Sequence, residues 1–261
     1  MTPVEPRTTV MMPAHDAEST IRGSVESVLS QTVGELELIV VDNASARPVR
    51  ESLAGVRDPR LRIVRRRVNA GAAGGRNTAL RLARSPLVSQ LDADDAWEPD
   101  YLEHVLPCFE DPGVGLAYSN THIVGHPTGH DDYIGDPSVH PMYRFPKLAE
   151  QNPIPSPTAT IRAGALRAIG GYRSWLWMAE DYEMYMRLAR AGWRFAYVHR
   201  QLARYRWPSQ GGGLSSRRRR HELWELAAFA AVAARHPLTP GPRRQVRRRV
   251  KRELLRLRDR A

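Results

Sequence analysis

The sequence predicts an α/β fold in which a doubly wound, mainly parallel sheet is flanked by helices. Short apolar segments alternate with longer amphipathic segments along most of the chain, which is the order typical of β-α units. Two of the short segments, LELIVV and PLVSQL, are apolar enough to be covered on both faces, as parallel strands usually are. The chain has 261 residues and is 42% hydrophobic, which is sufficient for a substantial core.

The elements are expected in the following order. Strands are predicted at residues 8–14 (TTVMMPA), 36–42 (LELIVVD), 60–66 (RLRIVRR), 86–92 (PLVSQLD), 114–120 (VGLAYSN), 158–161 (TATI) and 193–199 (WRFAYVH). Helices are predicted at residues 18–31, 72–83, 99–109, 163–169 and 179–191. From about residue 122 to residue 157 the alternation stops, and frequent Pro, Gly and His residues predict a long irregular loop over the site.

The net charge of +11 comes entirely from the C-terminal region. Residues 217–261 contain 15 Lys and Arg against 4 Asp and Glu, so residues 1–216 are electrically balanced. We therefore predict one domain at 1–216 and a basic helical extension at 217–261. The balanced charge of the domain argues against nucleic acid as its partner.

The end of the extension, residues 243–261, is predicted to form a basic amphipathic helix. It carries its apolar residues on one face among many Arg residues; they are Val246, Val250, Leu254 and Leu257. Such a helix either lies on an anionic membrane surface or packs on the domain or on a second subunit of a homodimer. Both interpretations stay open at the level of sequence.

The compartment is predicted to be the cytoplasm. The single cysteine, Cys108, excludes an internal disulfide, and the N-terminal residues do not resemble a signal peptide. The longest apolar run, LAAFAAVAA, falls short of the roughly 18 residues that a membrane span needs. If the basic extension binds lipid, the expected location is the inner face of the membrane.

Three carboxylates, Asp92, Asp94 and Asp95, follow the apolar segment PLVSQL. Capping of the next helix explains one or two of them, but not three. A divalent cation, Mn²⁺ or Mg²⁺, would neutralise them, because such ions take one or two protein carboxylates and complete their coordination with water and substrate phosphates. Ligands of α/β sheets bind beyond the carboxyl ends of strands, so residues 13–16 and 42–45 are expected to lie near these acids.

A family resemblance gives these residues a context. LDADDAWEPDYLE, preceded by ELELIVVDNAS and NAGAAGGRNTALRLARS, resembles the nucleotide-sugar-binding half of the family 2 glycosyltransferases of the GT-A fold. The similarity runs from Val10 to about Arg206. It implies a catalytic domain at 1–216, with a nucleotide-sugar-binding half at 1–121 and an acceptor-side half at 122–216. It also implies inverting transfer of one sugar from a nucleoside-diphosphate sugar to an acceptor hydroxyl.

The resemblance implies a set of donor-binding residues. Pro13, Ala14, His15 and Asp16 occupy the position of a family turn that contacts the nucleobase. Asp42 and Asn43 occupy the position where the family hydrogen-bonds the imide group of uracil, which favours a UDP or dTDP sugar. The alternative role of these two residues is a simple Asx turn. Arg76 of the glycine-rich segment and Arg206 near the end of the domain correspond to residues near the diphosphate.

The resemblance also implies the reacting groups. Asp92, Ala93 and Asp94 are expected to contact the sugar nucleotide, and Asp94 with Asp95 to hold Mn²⁺ or Mg²⁺. In EDYEM, Asp181 corresponds to the general base, with Glu180 beside it. A local alternative for this pair is that acids in a first helical turn are favoured by the helix dipole.

The acceptor is not identified by the sequence. A lipid-linked acceptor would give the membrane-binding interpretation of residues 243–261 a purpose. Trp175 and Trp177, which precede the Glu180 and Asp181 pair, either stack on sugar rings or belong to the core. Two other functions stay open, a metal-dependent nucleotidyltransferase and a non-catalytic sugar-nucleotide-binding protein.

Overall fold

The computed structural model of the protein describes residues 5–134, 148, 152–207, 224, 227–228 and 230–232. Within these residues the strands are β1 (Thr8–Ala14), β2 (Leu36–Asp42), β3 (Leu61–Arg65), β4 (Leu87–Gln90), β5 (Ala96–Trp97), β6 (Val114–Val124), β7 (Thr160–Arg162) and β8 (Arg194–Arg206). The α-helices that lie completely within these residues are α1 (Ile21–Leu29), α2 (Val49–Ser52), α3 (Gly71–Leu82), α4 (Tyr101–Val105), α5 (Ala163–Ala168) and α6 (Glu180–Arg190). Short 3-10 helices cover Leu106–Glu110 and Ser156–Thr158.

The strands form one mixed sheet in the order β3-β2-β1-β4-β7-β6-β8-β5. The first four strands in this order run parallel to one another. β7 is antiparallel to both β4 and β6, β6 is parallel to β8, and β5 is antiparallel to β8. The predicted α/β class, with a mixed and mainly parallel sheet flanked by helices, is therefore confirmed. The parallel half brings the carboxyl ends of β1, β2 and β4 to one edge of the sheet.

The core lies on both faces of this sheet. Every residue of β1 and β2 is buried. Met11 and Ile39 belong to one hydrophobic cluster, whereas their chain neighbours Val10 and Val40 belong to a second one. Because side chains alternate along a strand, each face of the central strands packs against its own layer, as the continuous apolar pattern predicted.

The structure differs from the expected elements in three places. β6 and β8 are longer than predicted, because they continue to pair through polar residues such as Asn120 with Gln201 and His122 with Arg204. The helix expected at 99–109 ends as α-helix at Val105 and continues as a 3-10 helix that contains a proline in its first turn. Two short elements, α2 and β5, were not predicted, because they are too short to show a period.

Part of the C-terminal region is described. Residues 224, 227–228 and 230–232 are helical, and Ala228 and Val232 are buried in the same cluster as Met11. These two positions are one helical turn apart, which places them on one face. The amphipathic segment 243–261 lies outside the described residues, so its contacts and the boundary at 216 stay predictions. In the described part of the chain, no helix combines the length and the apolar character needed to cross a membrane.

Candidate active site

The turns after β1 and β2 lie against each other. The backbone N–H of Asn43 donates to the carbonyl of Ala14 at 2.8 Å. The backbone N–H of Asp16 donates to Ser45 Oγ at 3.1 Å, and Asp16 Oδ1 accepts the N–H of Ala46 at 2.8 Å. Residues 13–16 and 42–45 are thus one connected surface, with the His15 and Asp16 side chains exposed.

The glycine-rich start of α3 packs directly on these turns. A Cβ atom on Gly75 would lie 2.7 Å from Pro13 Cβ and 2.8 Å from Asn43 Nδ2, so only glycine fits there. The Asn43 amide group donates to the carbonyl of Gly71 at 2.9 Å. This bond fixes the orientation of the amide and leaves Asn43 Oδ1 buried, with no hydrogen-bond partner in the described structure. An unpaired buried acceptor is costly, so this oxygen is a polar group that the described structure leaves unsatisfied.

The carboxylate of Asp42 accepts hydrogen bonds from the loop that follows it. Its Oδ1 accepts the backbone N–H of Ser45 at 2.9 Å, and its Oδ2 accepts that of Val49 at 3.2 Å. Arg65 of β3 completes the set with an ion pair at 3.0 Å. The structure therefore gives Asp42 the role of ordering the loop after β2 and starting α2.

Arg76 connects three elements. Its side chain is 2% exposed, and its Nη1 donates to Glu180 Oε1 at 2.6 Å. Its Nη2 donates to Asp92 Oδ1 at 2.6 Å and to Ser156 Oγ at 3.2 Å. Burial lowers the pKa of a guanidinium, but the charges of Asp92 and Glu180 outweigh it and raise the pKa of Arg76 above its usual range. A permanently charged Arg76 thus joins α3, the acids after β4 and the start of α6.

The acid pair at the start of α6 has two different environments. Glu180 is buried; desolvation raises its pKa to about 7, although the charge of Arg76 acts in the opposite direction. Asp181 is only partly buried, and its Oδ1 accepts the backbone N–H of Tyr182 at 2.7 Å. Glu180 therefore forms the ion pair with Arg76, whereas Asp181 is the acid that solvent reaches.

The acids after β4 repel one another. Asp95 is 3% exposed, and burial, followed by the charges of Asp94 and Asp92, raises its pKa well above the usual range. Its Oδ1 accepts the backbone N–H of Arg206 at 2.8 Å. Solvent reaches Asp94, but partial desolvation, together with the charge of Asp92, raises its pKa to about 6.

These residues fit a cation that is held by few protein ligands. Raised carboxyl pKa values mean that the ionised forms lack compensating charge, which a divalent ion supplies. In the described ranges, no group of three or more His, Cys, Asp or Glu side chains has the arrangement of a metal site. Mg²⁺ and similar ions need only one or two carboxylates when a diphosphate completes the coordination, and Asp94 and Asp95 are the candidates.

Backbone strain is concentrated around the site. Among the described non-glycine residues, positive φ angles occur at Asp16 (49°), Ala44 (58°) and Ala179 (59°). Asp16 and Ala44 belong to the turns after β1 and β2, and Ala179 precedes Glu180. Such conformations cost of order 1–3 kcal/mol and persist where the surrounding structure enforces them. The strain supports these three turns as parts of one functional site.

The site also contains polar residues that the sequence did not identify. Gln90 of β4 donates to the Tyr185 hydroxyl at 3.1 Å and to the carbonyl of Ser156 at 3.2 Å, and it accepts from the Tyr172 hydroxyl at 2.6 Å. This buried network lies beside Arg76, which also bonds Ser156. The available signal was a glutamine within an apolar strand segment, because a buried amide requires partners.

The site and the fold together define an α/β protein with a group of carboxylates beyond the carboxyl end of a central strand. The family model described as "Glycosyl transferase family 2" matches residues 9–170. The chain belongs to this family, as the motifs predicted.

Curated relatives support the same family. The UDP-Glc:alpha-D-GlcNAc-diphosphoundecaprenol beta-1,3-glucosyltransferase WfgD of Escherichia coli is 34% identical over 117 residues, which are 45% of this chain and 46% of that protein. The chondroitin synthase of Escherichia coli is 30% identical over 192 residues, 72% of this chain and 27% of that protein. These matches therefore span about half or less of the relatives' length.

Solved structures share the fold. Staphylococcus aureus TarS 1-349 in complex with UDP-GlcNAc has a TM-score of 0.74 at 16% identity, over 92% of this chain and 70% of that one. The mannosyltransferase PcManGT from Pyrobaculum calidifontis, in complex with GDP-Man and Mn²⁺, has a TM-score of 0.69 at 23% identity, over 94% of this chain and 69% of that one. At these identities the likeness shows the fold, which is the GT-A fold.

Proposed function

We propose that this protein is an inverting glycosyltransferase that moves one sugar from a nucleoside-diphosphate sugar to an acceptor hydroxyl. The observation that carries the proposal is the placement of Arg76. It donates to Asp92, one of the acids expected to contact the sugar nucleotide, and to Glu180, which precedes the expected base Asp181. Transfer needs both groups around one anomeric carbon.

The nucleotide is proposed to lie on the surface formed by residues 13–16 and 42–45. A uracil or thymine ring carries an N–H that matches an unpaired acceptor such as Asn43 Oδ1. Asp42 orders this surface through the backbone N–H groups that its oxygens accept, and it stays a proposed contact of the base. His15 is exposed and available to stack on the ring. We therefore favour a UDP or dTDP sugar as donor.

Asp181 is proposed as the general base. It is the partly exposed acid at the start of α6, whereas Glu180 is bonded to Arg76 and orients the helix. As Asp181 takes the proton, the acceptor oxygen bonds to the anomeric carbon on the face opposite the diphosphate. The bond from that carbon to the diphosphate oxygen breaks, so the anomeric configuration is inverted. General base catalysis typically contributes a hundredfold to ten-thousandfold to such a step.

Asp94 and Asp95 are proposed to hold Mn²⁺ or Mg²⁺, with Asp92 and Ala93 facing the sugar nucleotide. When bound, such an ion compensates the negative charge that develops on a departing diphosphate. Arg206 lies beside these acids, because its backbone N–H bonds Asp95 and its Nε lies 3.3 Å from the carbonyl of Asp94. Its exposed guanidinium is positioned to meet phosphate oxygens.

The acceptor is proposed to be a glycan or a lipid-linked glycan. The name of the relative WfgD describes a diphosphoundecaprenol-linked GlcNAc as its acceptor. For this chain, a lipid-linked acceptor agrees with a basic segment at 243–261 that binds the inner face of the membrane, in a cytoplasmic protein. A dimer formed through the extension remains an alternative use of that segment.

Calorimetry and an assay for nucleotide release test the proposal. UDP, dTDP and GDP are titrated into the protein with Mn²⁺, with Mg²⁺ and with a chelator; we expect metal-dependent binding of UDP or dTDP. UDP-glucose and UDP-GlcNAc are then incubated with a prenyl-diphosphate-linked GlcNAc, and release of UDP with a new glycosidic bond is expected. Donor binding without transfer would instead identify a non-catalytic binder. Diphosphate release from a nucleoside triphosphate and a sugar phosphate would identify a nucleotidyltransferase.

A further inference from the structure

Two tryptophans are exposed in the loop between α5 and α6. Trp175 is 50% exposed and Trp177 is 45% exposed, whereas Leu176 between them is buried. Their exposure excludes the alternative that they belong to the core. Large aromatic side chains gain free energy from burial, so two exposed indoles in the loop that precedes α6 indicate a surface for a partner with an apolar face.

The indole of Trp177 is held against the start of α3. A Cβ atom on Gly71 would lie 3.5 Å from Trp177 Cε3 and 3.8 Å from its Cζ3, so the six-membered ring lies over the backbone of Gly71. Gly71 has a φ of +65°, a conformation that favours glycine. Its carbonyl accepts the Asn43 amide. Trp177 is thus fixed on one side by the nucleotide end of the site and open on the other.

The loop that carries both tryptophans is also fixed. Asn77 of α3 accepts the backbone N–H of Tyr172 at 2.9 Å and donates to the Tyr172 carbonyl at 2.8 Å and to Ser174 Oγ at 3.2 Å. Arg76, the preceding residue, bonds Glu180 at the end of the same loop. Consecutive residues of α3 therefore hold both ends of the loop, and an ordered loop loses little entropy when a ligand binds.

We propose that Trp177 and Trp175 form the platform for the acceptor, and that the acceptor presents a pyranose ring. The apolar C–H face of a pyranose matches a flat indole. The loop leads directly into α6, which carries Asp181, the proposed base for the acceptor hydroxyl. This inference rests on the proposed transfer function. It names the substrate class, a pyranoside, and assigns Trp177 as the principal contact because its ring is the one held against Gly71.

The test uses the full chain labelled with 5-fluorotryptophan. Fluorine NMR resonances of Trp175 and Trp177 are assigned from Trp175→Phe and Trp177→Phe, and methyl β-glucoside, methyl β-galactoside and methyl β-N-acetylglucosaminide are titrated with UDP and Mn²⁺ present. We expect at least one pyranoside to shift both resonances and to leave Trp193 unchanged. Phe at position 177 should retain binding, and Leu, which is apolar but lacks a π face, should weaken it about tenfold.

The outcomes separate this inference from the proposed function. If UDP binds and no pyranoside shifts either resonance, or if Trp177→Leu binds the saccharide as well as the unaltered protein, the platform is wrong while donor binding stands. If pyranosides shift both resonances but UDP does not bind, the platform stands and the nucleotide-sugar function fails. Asn77→Ala serves as a second variant: it keeps both tryptophans in the sequence but removes the hydrogen bonds that hold their loop. It should weaken saccharide binding without changing the affinity for UDP.

Discussion

Arg76 donates one hydrogen bond to Asp92 and another to Glu180, each at 2.6 Å, from a side chain that is almost completely buried. Asp92 is 16 residues away in the sequence and Glu180 is 104 residues away. A single guanidinium therefore fixes the distance between the two acidic parts of the candidate site. Arginine suits this position because its planar fork meets two carboxylates at once and stays charged when buried.

Replacing Arg76 with Met should destabilise the protein by about 3–5 kcal/mol, because Glu180 would remain buried without its partner. Chemical denaturation measures this change. Arg81→Met on the same helix is the matched control: Arg81 is exposed, and we expect a change within about 0.5 kcal/mol. Equal effects of the two substitutions would show that the ion pairs of Arg76 contribute nothing specific.

Replacing Asp181 with Asn should lower turnover by about a hundredfold to ten-thousandfold, because an amide cannot take the proton from the hydroxyl of the acceptor substrate. The affinity for UDP should stay within about twofold, because the substitution preserves shape and leaves the donor side intact. Initial rates of UDP release, with calorimetry on the same samples, measure both quantities. Near-normal turnover would remove Asp181 from the role of base.

Replacing Asp94 with Asn should abolish the difference in UDP affinity between Mn²⁺ and chelator, because Asp94 is a proposed ligand of the cation. Calorimetry with and without metal measures the difference. Asp131→Asn changes an exposed carboxylate in a different loop and should leave the metal dependence unaltered. A variant at position 94 that still gains affinity from Mn²⁺ would move the metal site to other residues.

Replacing Gly75 with Ala should cost about 1–3 kcal/mol and weaken nucleotide binding. The new Cβ would lie within 2.8 Å of both Pro13 and Asn43, so α3 has to move away from the strand ends. Gly23→Ala in α1 is the control, since nothing lies within 4 Å of that Cβ position. It should stabilise the protein by about 0.5–1 kcal/mol, because alanine favours the helix. Thermal unfolding with and without UDP compares the two variants.

The fold was largely predictable from local patterns. The central strands β1 and β2 were identified because both of their faces are buried, which leaves a continuous apolar run in the sequence. The outer halves of β6 and β8 were missed because polar residues there, such as His122 and Arg204, pair through their backbones. Backbone hydrogen bonds leave no trace in side-chain polarity, so sequence patterns cannot reveal them.

The candidate site was predictable as a set of residues, since motifs named Asp42, Arg76, Asp94 and Asp181. Their contacts were not predictable. Asp42 was expected to face the nucleobase, yet its oxygens bond the loop after β2. Arg76 was expected near the diphosphate, yet it is bonded to two carboxylates. Whether either residue also contacts donor stays a prediction.

By itself, the sequence determined the α/β class, the family and the acids at the strand ends, because periodicity, apolar runs and motif spacing are local properties of the chain. Only the tertiary structure decided how the members of each acid pair differ. Glu180 and Asp181 are chain neighbours of similar chemistry, but helical geometry turns one towards Arg76 and the other towards solvent. The same holds for Trp177: its ring lies beside Gly71, and Asn77 holds its loop, although both residues of α3 are distant from it in sequence.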